Sequence, residues 1–150
     1  MPVSQPLSSD PGTYALIMSC RKSSRLAVGK LGNMMLQPGF YIYVGSALGP
    51  GGIKARVSRH RRRNKKLHWH IDYLRRQTAL IETWTMTGTI NHEHAWAAAL
   101  TKKYVTACNR FGASDCRCSS HLFYTAIRPS PDIIDALCCD IDSRLEVKIF

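Results

Sequence analysis

Short apolar bursts fill the first half of this chain, and helical spacing governs parts of the second. "TYALIMSC" (residues 13–20) reads as the first strand, with "RKSS" as the turn behind it. Further strands are expected around "RLAVG" and at "FYIYVG", and the three are expected to form an antiparallel unit, with a short hairpin element inside the intervening "KLGNMMLQPG". From Ile53 to Arg63 only Ile53, Ala55 and Val57 can be buried, which predicts a helix with a narrow apolar stripe, and "HWHIDYLRRQ" predicts another short one. "ALIETWTMT" predicts a strand and "HEHAWAAALTKKY" a helix opening at Asn91, where Trp96, Ala97, Leu100 and Tyr104 share one face. Glu93 falls on that same side, so it points toward the protein or a cleft. "SHLFYTAI" predicts a strand, and "SPDIIDALCCDI" a helix with Ser130 as N-cap, Pro131 in its first turn and Cys138 and Cys139 packed inward. In the closing "RLEVKIF", Leu145, Val147 and Ile149 alternate. Short antiparallel strands with interspersed helices give an α+β domain.

Composition narrows what such a domain can do. At 150 residues the chain is the size of one ordinary domain, and the opening 1–11, rich in Ser and Pro, reads as a flexible arm. The net charge of +11 is concentrated in the basic helix and its continuation: Lys54, Arg56, Arg59, Arg61, Arg62, Arg63, Lys65 and Lys66. Such a stripe attracts polyanions, of which nucleic acid is the commonest, although like-charge runs also occur as plain solvated faces. The N-terminal stretch lacks the pattern of a signal peptide, and no apolar run approaches the ~20 residues of a membrane span. The expectation is a cytoplasmic protein, nucleoid association included, without membrane contact, whose six cysteines stay reduced.

"GTY" at 12–14, "YVG" at 43–45 followed by "SA", Arg56 and His60 on one helix, and Glu93 on a later helix come in an order that resembles the GIY-YIG nuclease superfamily. More closely, "FYIYVGSALGPGGIKARVSRH", "HWHIDYL" and "GASDCRCSSHLF" resemble a branch of mostly uncharacterised small proteins, sometimes fused to DNA-repair glycosylases of the endonuclease III type. The likeness implies a small central antiparallel sheet, a three-stranded core plus extra strands, flanked by helices. The nuclease-like domain would span 12–128, with 129–150 as a C-terminal helix and strand packed on it. The long stretch between the tripeptides matches the branch rather than the superfamily at large. The superfamily often has an asparagine beyond the glutamate; here Asn109, Ser114 and His121 are the candidates, and none is an unambiguous match.

The resemblance implies an endonuclease that hydrolyses phosphodiester bonds in DNA with one divalent metal, Mg²⁺ or Mn²⁺, on structures met in repair or recombination. RNA stays open as a substrate, as does a repair glycosylase as partner. The rival expectation is a nucleic-acid-binding accessory module that uses the same basic face without chemistry. In the enzyme reading Arg56 presents a planar fork to the scissile phosphate and Glu93 supplies the one carboxylate that Mg²⁺ accepts beside waters and substrate oxygens. Tyr43 is expected to activate the water, with Tyr14 orienting it or the phosphate, and His60 to relay a proton or bind phosphate. Ser46 would meet a phosphate oxygen. Lys54, Arg59, Arg61, Arg62, Arg63, Lys65 and Lys66 would track the backbone. Trp69 would stack on a base unless it is core, and His70 would assist the metal site. Cys108, Cys116, Cys118 and His121 offer soft ligands for zinc, against a plainer reading as packed thiols.

Overall fold

A computed structural model describes residues 6–113 and 118–150. Its elements are β1 (Gly12–Cys20), β2 (Ser24–Val28), β3 (Gly32–Leu36), β4 (Gly39–Ala47), α1 (Gly52–Arg61), α2 (His70–Arg75), β5 (Ala79–Thr87), α3 (Glu93–Lys103), β6 (Val105–Thr106), β7 (Leu122–Thr125), α4 (Asp132–Ile141) and β8 (Lys148–Ile149). Six strands form one sheet in the order β6-β7-β4-β1-β5-β8, antiparallel at every described pairing. The architecture is α+β.

The strand β1 is central because both of its faces are apolar. Tyr14, Leu16, Met18 and Cys20 enter one core with Tyr41 and Tyr43 of β4, Ile53 and Val57 of α1, and Ile71 and Leu74 of α2. Ala15 and Ile17 enter a second with Ile42 and Val44 of β4, Trp96, Ala97 and Leu100 of α3, and Ile134 and Cys138 of α4. The two-residue period of a strand sends alternate side chains to opposite faces, so a continuous apolar run needs cover on both sides. Helices provide it.

Several expectations are corrected. The "RLAVG" strand does not join the main sheet; β2 pairs with β3 in a separate two-stranded sheet, and β5 takes the third place beside β1. Its residues alternate: Leu26 and Val28 are buried while Arg25 and Ala27 are exposed, which suits a hairpin lying over a core rather than a doubly covered strand. On α4, Cys138 is buried, but Cys139 is exposed one position round the helix. That helix opens one residue later than expected, with Pro131 at the N-cap position and the Ser130 hydroxyl accepting the Asp132 N–H at 3.3 Å. The last strand is confined to Lys148 and Ile149.

Gly52, at the start of α1, has φ 60°, and a Cβ there would run into the Ser9 and Asp10 carbonyls. The close passage lets the 8–10 segment accept the Ile53 and Lys54 N–H groups at 3.0 and 2.8 Å, satisfying donors at a helix start that carries no side-chain cap. The basic helix is thereby fixed against the end of β1. No helix of the described residues is long and apolar enough to cross a membrane.

Candidate active site

A cleft of about 370 Å³ opens where β1, β4, α1, α2 and α3 converge, lined by Tyr14, Tyr43, Ser46, Arg56, Trp69 and Glu93 among others. The register explains how its two tyrosine strands meet. Tyr14 lies directly opposite Gly45. A Cβ on Gly45 would overlap the Tyr14 phenol, so the glycine of "YVG" is the space into which that ring folds.

The Tyr14 hydroxyl is 2.6 Å from His60 Nε2, and both groups are buried. Burial drives the His60 imidazole down to about 3, helped by the neighbouring Lys65 charge, so it is neutral at ordinary pH. Burial also raises the Tyr14 phenol well above its usual value, the nearby Tyr43 adds to this, and the Arg56 guanidinium pulls the other way. A protonated phenol beside a neutral imidazole fits a bond in which Tyr14 donates and Nε2 accepts, leaving the His60 proton on Nδ1. Tyr43 is raised too, first by burial and then by the Glu93 charge. Its ring meets His60 and Phe111 edge-on.

Glu93 begins α3 and faces the cleft. His121 Nδ1 lies 2.8 Å from its Oε1. Burial alone would raise this carboxyl, but the His121 ring, the Ser46 hydroxyl and His94 outweigh it, and the net shift is downward. Glu93 is therefore ionised. It is the one carboxylate among the described residues that line the cleft. Of the three candidates for the partner beyond the glutamate, His121 is the one that touches it; Ser114 lies outside the described residues.

The basic stripe divides. Arg59 is not a free cation: it forms a bidentate pair with Asp72, both bonds 2.8 Å, and its guanidinium sits 4.0 Å from the centre of the Trp69 ring. Lys65 donates to the Arg59 and His60 carbonyls at 2.8 and 3.4 Å, and Arg63 to the Thr78 carbonyl at 3.2 Å. These three contribute to holding α1 and its continuation in place, and of them Arg63 is also exposed. Lys54, Arg61, Arg62 and Lys66 are exposed. Arg56 turns to the cleft with its guanidinium 4.6 Å from the Trp69 ring centre. Trp69 is half-buried and carries two guanidinium groups. His70 accepts the Gly112 N–H on Nδ1 at 2.9 Å and lies at the cleft wall.

Asp72 ties this side of the cleft together. Besides Arg59, its carboxylate accepts the His68 and Trp69 N–H groups, both at 2.8 Å, and so closes the start of α2. Burial opposes its ionisation, but the Arg59 pair and the two amides prevail and hold it well below the usual carboxylate range.

These groups predict acid lability. His60 folds neutral at about 3 against 6.5 when exposed, so between those values the unfolded chain binds the extra proton, and stability falls as pH drops below about 6.5. Asp72, depressed on folding, adds a loss that begins near its ordinary pKa of 3.8 and grows as the pH falls further. Chemical denaturation across pH 4 to 8 should show a plateau above pH 7 and a decline below 6; a flat profile would remove His60 from the buried neutral state.

The soft ligands also regroup. Cys108 packs against the first core, away from the others, and Cys116 lies outside the described residues. Cys118 and His121 come together with His94, which the sequence pattern did not single out although it adjoins Glu93.

Among known protein families, the one described as "Domain of unknown function DUF123" matches residues 13–139, a span that runs from β1 into α4. No curated protein and no solved structure matches.

Proposed function

The chain belongs to the DUF123 family, and from the chemistry of its cleft we propose that it is an endonuclease of the GIY-YIG type, hydrolysing phosphodiester bonds in DNA with one divalent cation. The observation that carries this reading is the Tyr14–His60 bond, placed in one cleft with an arginine and an ionised carboxylate. Structural tyrosines on strands need no buried imidazole behind them and no glycine cleared for the ring. An arginine and a single carboxylate facing each other across a cleft suit a phosphate and its counterion.

The donor set fits the cation. Glu93 offers a hard oxygen, as Mg²⁺ or Mn²⁺ prefers, and one carboxylate is enough where waters and phosphate oxygens complete the shell. Bound there, the ion would supply positive charge at the scissile phosphate and lower the pKa of water beside it.

The remaining roles fall to the chain. Arg56 binds the phosphate with its fork and stabilises charge developing on its oxygens; Trp69 below it limits the directions the guanidinium can take. Tyr14 takes the part expected of Tyr43 in positioning the water, because its hydroxyl is the one with a fixed partner: donating to His60 Nε2 holds the phenol so that its oxygen can accept a hydrogen bond from the water. Tyr43, held neutral, is suited to orient water or phosphate by donating a hydrogen bond. Lys54, Arg61, Arg62 and Lys66, exposed on α1 and its continuation, would contact flanking phosphates. Linkage to repair or recombination, and with it a preference for branched or flapped DNA, rests on the resemblance alone.

The test is cleavage of labelled duplex, single-stranded, flap and branched DNAs with Mg²⁺, with Mn²⁺ and with chelator. Metal-dependent products from at least one substrate are expected. Binding across the panel without cutting under any metal condition would reverse the reading in favour of a non-catalytic module.

A further inference from the structure

Beside the cleft, and made of different chemistry, lies a second group of ligating side chains. His94 Nδ1 is 3.0 Å from Cys118 Sγ, and one ligating atom from each of His94, Cys118 and His121 falls within 4.8 Å of the others. We propose that these three residues form a site for a thiophilic divalent metal, zinc first, separate from the hard-oxygen position at Glu93.

Three observations support it. The spacing is that of a metal turn: Cys118 and His121 are separated by two residues, the separation seen in zinc knuckles, and the third ligand comes from the first turn of α3. Second, the turn is held before any metal arrives. The Arg110 guanidinium donates to the Cys118 carbonyl at 2.8 Å, the Arg110 N–H to the Ser119 carbonyl, and the His121 N–H to the Phe111 carbonyl at 2.8 Å. Arg110 does this from a left-handed backbone, φ 65°, a conformation that costs a non-glycine residue free energy and is kept where surrounding contacts enforce it. Third, the outer contact that metal-bound histidines commonly make is in place. With Nδ1 2.8 Å from Glu93 Oε1, His121 would present Nε2 to a metal, in a carboxylate–histidine–metal arrangement of the kind that fixes tautomer and ring orientation.

The dimensions are close to what zinc requires. Tetrahedral Zn²⁺, with bonds of about 2.0–2.1 Å to nitrogen and 2.3 Å to sulfur, has nitrogen–sulfur edges of roughly 3.5 Å. The His94–Cys118 edge is somewhat shorter, as befits an S–H···N hydrogen bond, so binding would open it by about half an ångström. On binding, Cys118 Sγ releases its proton to solvent and the thiolate takes the metal; no oxidant or reductant is involved. An entry path exists, since His94 is exposed and two of the ligands, His94 and Cys118, border a surface groove between α3 and the 118–120 segment. One thiolate with two imidazoles selects against Mg²⁺ and Mn²⁺ and for zinc or a later first-row metal. Three protein ligands leave the fourth position for water.

The site does not depend on the nuclease reading, and its test does not read cleavage. The full chain, purified without a polyhistidine tag from zinc-supplemented medium and passed through gel filtration, is analysed for metal beside Cys118→Ser and His94→Ala. His94 is exposed on a helix surface, so its alanine variant is expected to fold, checked by circular dichroism. About one equivalent of zinc is expected in the wild type, with a loss of most of it in either variant, and Co²⁺ substitution should give a thiolate-to-metal charge-transfer band that Cys118→Ser lacks. A wild-type chain that carries no metal and does not shift its melting temperature when zinc is added would overturn the site, as would variants that keep the full equivalent.

Discussion

Glu93→Gln is expected to abolish metal-dependent cleavage, by about 10³-fold or more, while DNA binding stays within a few fold. The amide keeps an oxygen to accept from His121, so the neighbouring ring holds its place, but it carries no charge for a cation. Loss of several kcal/mol of charge stabilisation, at about 1.4 kcal/mol per factor of ten, gives that order of effect. Binding is spared because the exposed cations Lys54, Arg61, Arg62 and Lys66 lie on α1 and its continuation, away from α3. The check is single-turnover cleavage alongside a binding isotherm for the same DNA. A glutamine variant that cuts within tenfold of the wild type would take Glu93 out of the mechanism.

The second large effect is on stability. Asp72→Ala removes a buried carboxylate that pairs with Arg59 in two bonds and accepts two amides at the start of α2. Breaking a buried pair by deleting one partner costs about 3–5 kcal/mol, because the other charge is left behind. At roughly 2–4 °C per kcal/mol for a chain of this size, the midpoint should fall by about 10 °C or more. Asp72→Asn keeps an acceptor for the amides and should lose less. Thermal melts at neutral pH decide it: a shift under about 2 °C for the alanine variant would mean that Arg59 finds water or another partner without cost, and Arg59 would return to the pool of cations available to DNA.

Most secondary structure was legible from local pattern, because periodicity is written in each segment. The strand over "ALIETWTMT" runs over the residues expected, and Trp96, Ala97 and Leu100 share a buried face as their spacing required. What neighbours what was less legible. The partner of β2 depends on whether a strand must be covered on one face or two, and β1 finds its third neighbour in β5, far along the chain. The site shows the same division. Tyr14, Tyr43, Arg56 and Glu93 could be named from their motifs, and they do line one cleft. The fate of Arg59 could not, since nothing in a run of eight cations says which one faces a buried aspartate thirteen residues on. His94 carried a usable signal, an imidazole next to the cleft carboxylate, and so did the two-residue gap between Cys118 and His121, but the cysteine pair 116 and 118 drew attention instead.

The place of β1 at the centre of the sheet also bears on how the chain reaches its fold. Gly12 pairs with Ala47 on one side and with Thr87 on the other, so the most apolar strand is made first in sequence and completed by a segment that comes much later. Closing such distant pairs carries loop entropy before any contact repays it, and chains dominated by them fold slowly. The local β2–β3 hairpin can form early. The cleft cannot, because its floor is β1 against β4 and its carboxylate arrives on α3, beyond β5. The full geometry of the cleft is thus a late product of folding, and a nascent chain that has not yet reached α3 holds the basic helix without the carboxylate proposed to bind the cation.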